Sequence, residues 1–192
     1  MFDRIRDSLL SLSAPVECHI CSGEVTSTND GIACSDCWEA TTIFSGSEML
    51  CHKCGAFFGP KAAPVEISCH QCDDHHYASA RALGIYEKAL AATILRLKRE
   101  PVMPRRVTLE FKTLIRNGRF ADIDLIVPIP LSKQRMLERG FNQAEVLAKL
   151  VGTELGVSID SHSLTRTVHT PAIRSHLSSI MSPTFTFGTN PT

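Results

Sequence analysis

Eight cysteines stand in four Cys-x-x-Cys pairs, Cys18/Cys21, Cys34/Cys37, Cys51/Cys54 and Cys69/Cys72, and no cysteine lies outside them. Gaps of twelve, thirteen and fourteen residues separate successive pairs, near the spacing of zinc ribbons and knuckles. Each pair offers two thiolates from one tight turn, and two turns complete a tetrahedral shell, so the eight sulfurs suffice for one or two four-thiolate zinc sites. Few large apolar residues occur between Val16 and His76. Metal then takes the place of a core, and folding depends on it. Spacing leaves the pairing open: neighbouring pairs close each site, or alternate pairs interleave. His19, His52, His70, His75 and His76 could occupy one corner, although eight thiolates already fill two sites. Gly55, directly after Cys54, suits the turn of a knuckle.

Disulfides are the competing use of so many cysteines. The opening residues, Met1 to Leu10, are charged throughout and lack the apolar segment of a secretory signal, so a reducing cytoplasm is expected, where disulfides rarely persist. Phe2, Ile5, Leu9 and Leu12 fit one face of a short helix instead. Four evenly spaced pairs with no βαβ pattern around them also differ from a thioredoxin-like redox pair. No run approaches the ~18 apolar residues that span a bilayer.

The formal net charge of zero conceals a division. Residues 1–80 carry four basic and eleven acidic residues, a net of −7, and the remainder carries +7. Eight basic and two acidic residues lie between Arg96 and Arg119, the densest positive stretch. Such asymmetry points to two modules, the second meeting a phosphate ligand or polyanion, or simply presenting a solvated basic face. Leu90, Ile94 and Leu97, with Tyr86, share one helical face, and Pro101 and Pro104 end that helix. Lys98 stands at its end, where it offsets the helix dipole or reaches a ligand. A second helix starts near Arg105, with Val107, Phe111, Leu114 and Ile115 as its buried stripe and Gly118 beyond it.

The stretch from Asp124 to Gln143 carries the strongest ligand-site pattern. Ile123, Leu125, Ile126 and Val127 form a short apolar run that reads as a strand covered on both faces. A loop from Pro130 to Asn142 holds Lys133, Arg135 and Arg139, with Gly140 allowing close backbone approach. From Gln143 the residues Val146, Leu147, Leu150, Val151 and Leu155 recur at helical spacing, and Gly156 stops the helix. A strand, a cationic loop and a helix N-terminus together make an anion cradle. Helix initiation alone also explains Asn142 as N-cap and Glu145 as its capping-box partner. Residues 157–164 read as a further strand, so strand, helix and strand form a βαβ crossover. From Ser178 onward nine of fifteen residues are Ser, Thr or Pro.

Four cysteine pairs, Tyr86, Leu97-Lys98, Val127-Pro-Ile-Pro130, Arg139-Gly-Phe-Asn-Gln143 and Leu164-Thr-Arg-Thr167 together resemble the ComF family over about Cys18 to Thr170. The resemblance implies an α/β fold in which a zinc-ribbon-like cysteine module precedes an incomplete parallel-sheet domain like type I phosphoribosyltransferases. Its expected divisions are a short helix plus double zinc module over 1–76, the phosphoribosyltransferase-like part over 77–171, and an irregular tail over 172–192. It further implies that the loop binds phosphoribosyl pyrophosphate or pyrophosphate through Lys98, Lys133, Arg135, Arg139, Gly140, Asn142 and Gln143, with Mg²⁺ accompanying the ligand in the complete fold. The family's Asp-Asp-x-x-Thr-Thr-Gly motif is absent from this sequence. The expectation is a truncated, inactive phosphoribosyltransferase-like chain, shortened by a frameshift, a premature stop or as a natural form, with a family role in competence and DNA uptake. The alternative is a zinc-module accessory protein without enzymatic activity that binds single-stranded DNA or a protein partner, including a competence protein. Sparse aromatics beside the basic stretch weigh against base stacking there.

Overall fold

The computed structural model describes residues 16–60, 67–72, 76–118, 120 and 122–167. The expected helix through Phe2 and Leu12, and the Ser/Thr/Pro-rich tail, lie outside the described residues. The chain forms two compact units, one of residues 1–95 with 103–111, the other of residues 96–102 with 112–192. Residues 77–95 therefore share a unit with the cysteine pairs.

In the first unit, strands β1 (Val16–Glu17) and β2 (Glu24–Val25) form a two-stranded antiparallel ladder. Cys18 and Cys21 sit in the turn between them, which the Cys18 N–H closes on the Gly23 carbonyl at 2.7 Å. A short helix α1 (Ser35–Glu39) follows, with Cys34 at its N-cap. Trp38 of α1 is buried and donates from Nε1 to the Asp30 carbonyl at 2.9 Å. Strands β3 (Met49–Leu50) and β4 (Phe57–Gly59) repeat the hairpin plan with a register shift. The Gly55 N–H closes the turn on Cys51 O at 2.9 Å. Gly55 has φ +72, and an added Cβ would lie 3.0 Å from the Ala80 carbonyl, so both conformation and space call for glycine.

Helix α2 (Lys88–Leu97) is tied to this module at its N-terminus, where helical N–H groups have no intrahelical partner. The Thr41 hydroxyl accepts from the Ala89 N–H at 3.1 Å and donates to the Cys37 carbonyl at 2.7 Å, linking helix start to cysteine turn. Glu87 accepts from the N–H and hydroxyl of Thr42, which pulls its carboxyl below the usual range. Leu90 and Leu97 are buried as the periodicity requires, but Tyr86 precedes the helix and is exposed. Helix α3 (Arg105–Asn117) starts where expected, with Val107 and Ile115 buried.

In the second unit, β5 (Leu125–Ile126) pairs in parallel with β6 (Ser158–Ile159), registering Leu125 with Ser158 and Ile126 with Ile159. The crossover between them holds two helices, α4 (Lys133–Arg139) and α5 (Gln143–Leu155). Asn142 caps α5 by accepting from the Ala144 N–H, and Gly156 ends it in the left-handed region. Glu145 pairs with Lys149 at 3.2 Å, one turn along the same helix. Gly152 faces β6: a Cβ there would fall 3.0 Å from Ile159, so the glycine lets helix and strand meet. Glu154 bridges α5 to the second half of α3 through Lys112 and Arg116, whose side chains draw its carboxyl pKa down.

Two sequence expectations are corrected here. The strand is not covered on both faces, since Leu125 is 48% exposed; among the described residues this sheet has only two strands, too few to bury both sides. Lys133 to Arg139 is helix rather than loop. Ser132 supplies an N-cap to the Arg135 N–H and Gly140 a left-handed C-cap, while Lys, Gln, Arg, Met, Leu and Glu are all good helix formers.

Candidate functional site

The four sulfurs of Cys18, Cys21, Cys34 and Cys37 lie within 4.8 Å of one another, and so do those of Cys51, Cys54, Cys69 and Cys72. Neighbouring pairs therefore close each group, and no histidine among the described residues enters either. A tetrahedral zinc with bonds of about 2.3 Å places its thiolates about 3.8 Å apart. The sulfur separations are 3.8 Å for Cys18–Cys37, 3.6 Å for Cys21–Cys34, 3.6 Å for Cys51–Cys72, 3.5 Å for Cys54–Cys69 and, tightest, 3.2 Å for Cys69–Cys72. Both groups thus fit a zinc ion in size and donor chemistry. His52 is engaged elsewhere, its Nδ1 lying 3.1 Å from the Ser68 hydroxyl.

Backbone N–H groups prepare part of each group for the thiolate form. Burial pushes the Cys18 thiol up, but N–H groups of Cys21, Cys34 and Ile20 outweigh it and bring its pKa down to about 6. The Cys54 N–H leads in lowering Cys51 to about 5, against burial and with help from the Lys53 and Cys69 N–H groups. Burial, then the neighbouring sulfurs, drive Cys37 and Cys72 the other way. Four adjacent sulfurs repel one another as anions and take up protons unless a counter-charge is present, which a bound dication would supply.

The first group is braced by a residue that spacing did not single out. Arg106 of α3 lies over the Trp38 ring, 5.2 Å from its centroid, and pairs with Asp30 at 3.3 Å. Trp38 follows Cys37 directly and is bonded to the Asp30 carbonyl, so one guanidinium grips both arms of the cysteine turn. Only long-range packing reveals this: Arg106 looks like one more cation in a basic run.

The expected anion-site residues are partly gathered. A concave groove of about 470 Å³ in the second unit is lined by Pro130, Lys133, Met136, Asn142, Leu164 and Arg166, among others. Lys133 and Asn142 thus reach it. Asn142 is buried, and besides capping α5 its amide donates to the Ile129 carbonyl at 3.0 Å. Arg139 donates to Gln143 Oε1 at 2.8 Å, giving both a partner within the fold. Arg135 stands one turn from Arg139 on α4, outside the groove lining. Gly140 has φ +75 and caps the end of α4, with open space around a Cβ. Lys98 lies just beyond α2 and is not a lining residue. In the basic stretch, Arg96 pairs with Glu100, Arg106 with Asp30, and Lys112 and Arg116 with Glu154. Much of the charge expected to meet a polyanion is matched inside the chain.

Two cysteine groups suited to zinc, together with a mixed helix and strand unit containing a parallel pair, define the class of this chain. Among known proteins, it is 29% identical over 175 residues to the DNA utilization protein YhgH of Salmonella typhimurium. It is 28% identical over 175 residues to the DNA utilization protein YhgH of Salmonella typhi, and each match spans 87% of this chain and 73% of the relative. No family model matches the chain. No solved structure matches it. No helix among the described residues is long and apolar enough to cross a membrane.

Proposed function

We propose that this chain is a ComF-like DNA-utilisation protein in which zinc holds the cysteine module and the second unit accepts a phosphorylated ribose such as phosphoribosyl pyrophosphate. The observation that carries the ligand reading is the groove. It collects Pro130 and Lys133 after β5 and Ser161, Leu164, Thr165 and Arg166 after β6. Ligands of parallel α/β sheets settle in the crevice beyond the carboxyl ends of the strands. Lys133 supplies a positive charge there, and apolar Met136 and Leu164 form wall for the rest of the ligand. The resemblance to DNA utilization proteins supports a role in DNA handling.

Affinity is expected to be weak, because Arg139 and Gln143 are occupied with each other and, among the described residues, Lys133 and Arg166 alone bring cations to the lining. Isothermal titration with phosphoribosyl pyrophosphate, with and without Mg²⁺, tests this. A dissociation constant near the millimolar range, about −4 kcal/mol, is expected, weakened further by Lys133→Ala. No heat at millimolar ligand removes the groove from the account, and tight Mg²⁺-dependent binding contradicts the weak site. Filter binding of single-stranded DNA across a salt series tests the alternative zinc-module role. The internal ion pairs lead us to expect a shallow slope, and a steep one favours a polyanion surface.

A further inference from the structure

The geometry points to Cys54 and Cys69 as an oxidation site: a hydroperoxide joins them in a disulfide and releases zinc from the second cysteine group while the first keeps its metal. This rests on the zinc reading of both groups. In the second group Cys54 and Cys69 are half-buried, and their sulfurs are neighbours at 3.5 Å; Cys72 lies closer to Cys69, at 3.2 Å, but is buried and shielded from oxidant. Oxidant can reach either thiolate, and the sulfur that must then attack is also near solvent. The first group is arranged differently. Its Cys21 is exposed, but the neighbouring sulfur at 3.6 Å belongs to buried Cys34, which stands beside fully buried Ala33 and at the N-cap of α1. A disulfide bond is about 2 Å long, so closure there has to drag a packed helix end by well over an ångström. In the second group closure joins two turn residues.

Charge favours the same order. Residues 16–40 hold five acids, Glu17, Glu24, Asp30, Asp36 and Glu39, and no Lys or Arg of their own; with Arg106 paired to Asp30 the surroundings still keep a negative balance, which retains a dication. Residues 49–82 hold Lys53, Lys61 and Arg81 against Glu66, Asp73 and Asp74, an even balance. Lys53 lies in the Cys51–Cys54 turn and donates to the Cys72 carbonyl at 3.0 Å, beside the thiolates. Partly exposed thiolates next to a cation are the reactive ones.

The chemistry balances in two steps. One thiolate attacks a peroxide oxygen, the O–O bond breaks, hydroxide leaves and a sulfenic acid forms. The second thiolate attacks that sulfur and expels another hydroxide, leaving the disulfide. Each hydroxide takes a proton from water's pool, the two sulfurs have lost two electrons to the peroxide, and zinc, left with two of its four ligands, departs.

The test uses the full chain with its zinc counted first by native mass spectrometry, then treated with hydrogen peroxide in the presence of a chromogenic zinc chelator. One equivalent is expected to leave at least about tenfold faster than the other, and peptide mapping should find the Cys54–Cys69 disulfide at that stage. A thiol reductant with added zinc restores the starting mass. Release of both ions at one rate, earlier release from the first group, or any other first disulfide overturns the inference alone. A starting content below two zinc ions removes the metal reading and this inference with it.

Discussion

The first cysteine group lies in a segment where Val25, Ile32, Ala33 and Trp38 are buried, and Arg106 and Thr41 tie that segment to two helices. The second lies between short strands with Phe57 and Phe58 exposed, and it is anchored by the Ala80 N–H to Lys53 O bond and by Phe57 stacked on Phe44. Donor sets are identical, four thiolates from two turns. What differs is what surrounds them. In the first group a metal would reinforce a small apolar core, whereas in the second it would substitute for a core. Identical motifs in one chain can therefore differ in how much folding rests on the ion.

The largest effects should come from ligand removal. Cys34→Ser should cost one zinc and the order of the Trp38 segment, since binding at a structural zinc site is worth roughly 10 kcal/mol or more and that energy is folding energy. Cys69→Ser should also cost one zinc but leave the emission of Trp38, the sole tryptophan, unchanged. Native mass spectrometry with fluorescence reads both, and a Trp38 signal lost equally in the two variants would erase the contrast. Acidification should strip both ions, because protons compete for the thiolates as pH falls. Zinc retained in strong acid, far below even the lowered values of Cys18 and Cys51, would contradict thiolate ligation.

Arg106→Ala should act on the first group only, lowering stability by about 1 kcal/mol through the lost ring contact and a partly exposed ion pair. Urea unfolding followed at Trp38 measures it, and unchanged midpoints would show that the brace is idle. In the second unit, where no metal group lies among the described residues, Asn142→Ala should cost about 1 kcal/mol by removing the α5 cap, with the metal content unchanged. The smallest effect belongs to Asp160. The Ser163 hydroxyl first, then the His162 and Ser163 N–H groups, lower its pKa from 3.8 to about 2. Its folded-state pKa is depressed, so its contribution is complete above 3.8 and lost as pH falls toward about 2. Asp160→Asn should flatten the acid limb of the melting profile over that window, and an unaltered limb would show that the turn contributes nothing.

Cysteine spacing made the candidate metal ligands legible, because a tetrahedral shell needs two close pairs and no other cysteine occurs in the sequence. Pairing was not legible: twelve- and fourteen-residue gaps permit either arrangement, and the hairpins decide it. Helix α5 could be read from its stripe, Asn142 and Gly156, whose roles are local. The segment from Lys133 to Arg139 misled, since three cations near a glycine describe a phosphate loop and a capped helix equally well. Ser132 and Gly140 carried the answer in residue types that serve both. Arg106 stayed hidden because its partners, Asp30 and Trp38, stand far back in the sequence, and a contact of that range leaves no periodic trace.

Zinc stoichiometry of the native chain, read with alkylation of its thiols, bears most directly on the two-site account. Two ions per chain and eight cysteines shielded until chelator is added are the expected result. One ion or none, or alkylation of either group in the metal-loaded protein, would contradict it.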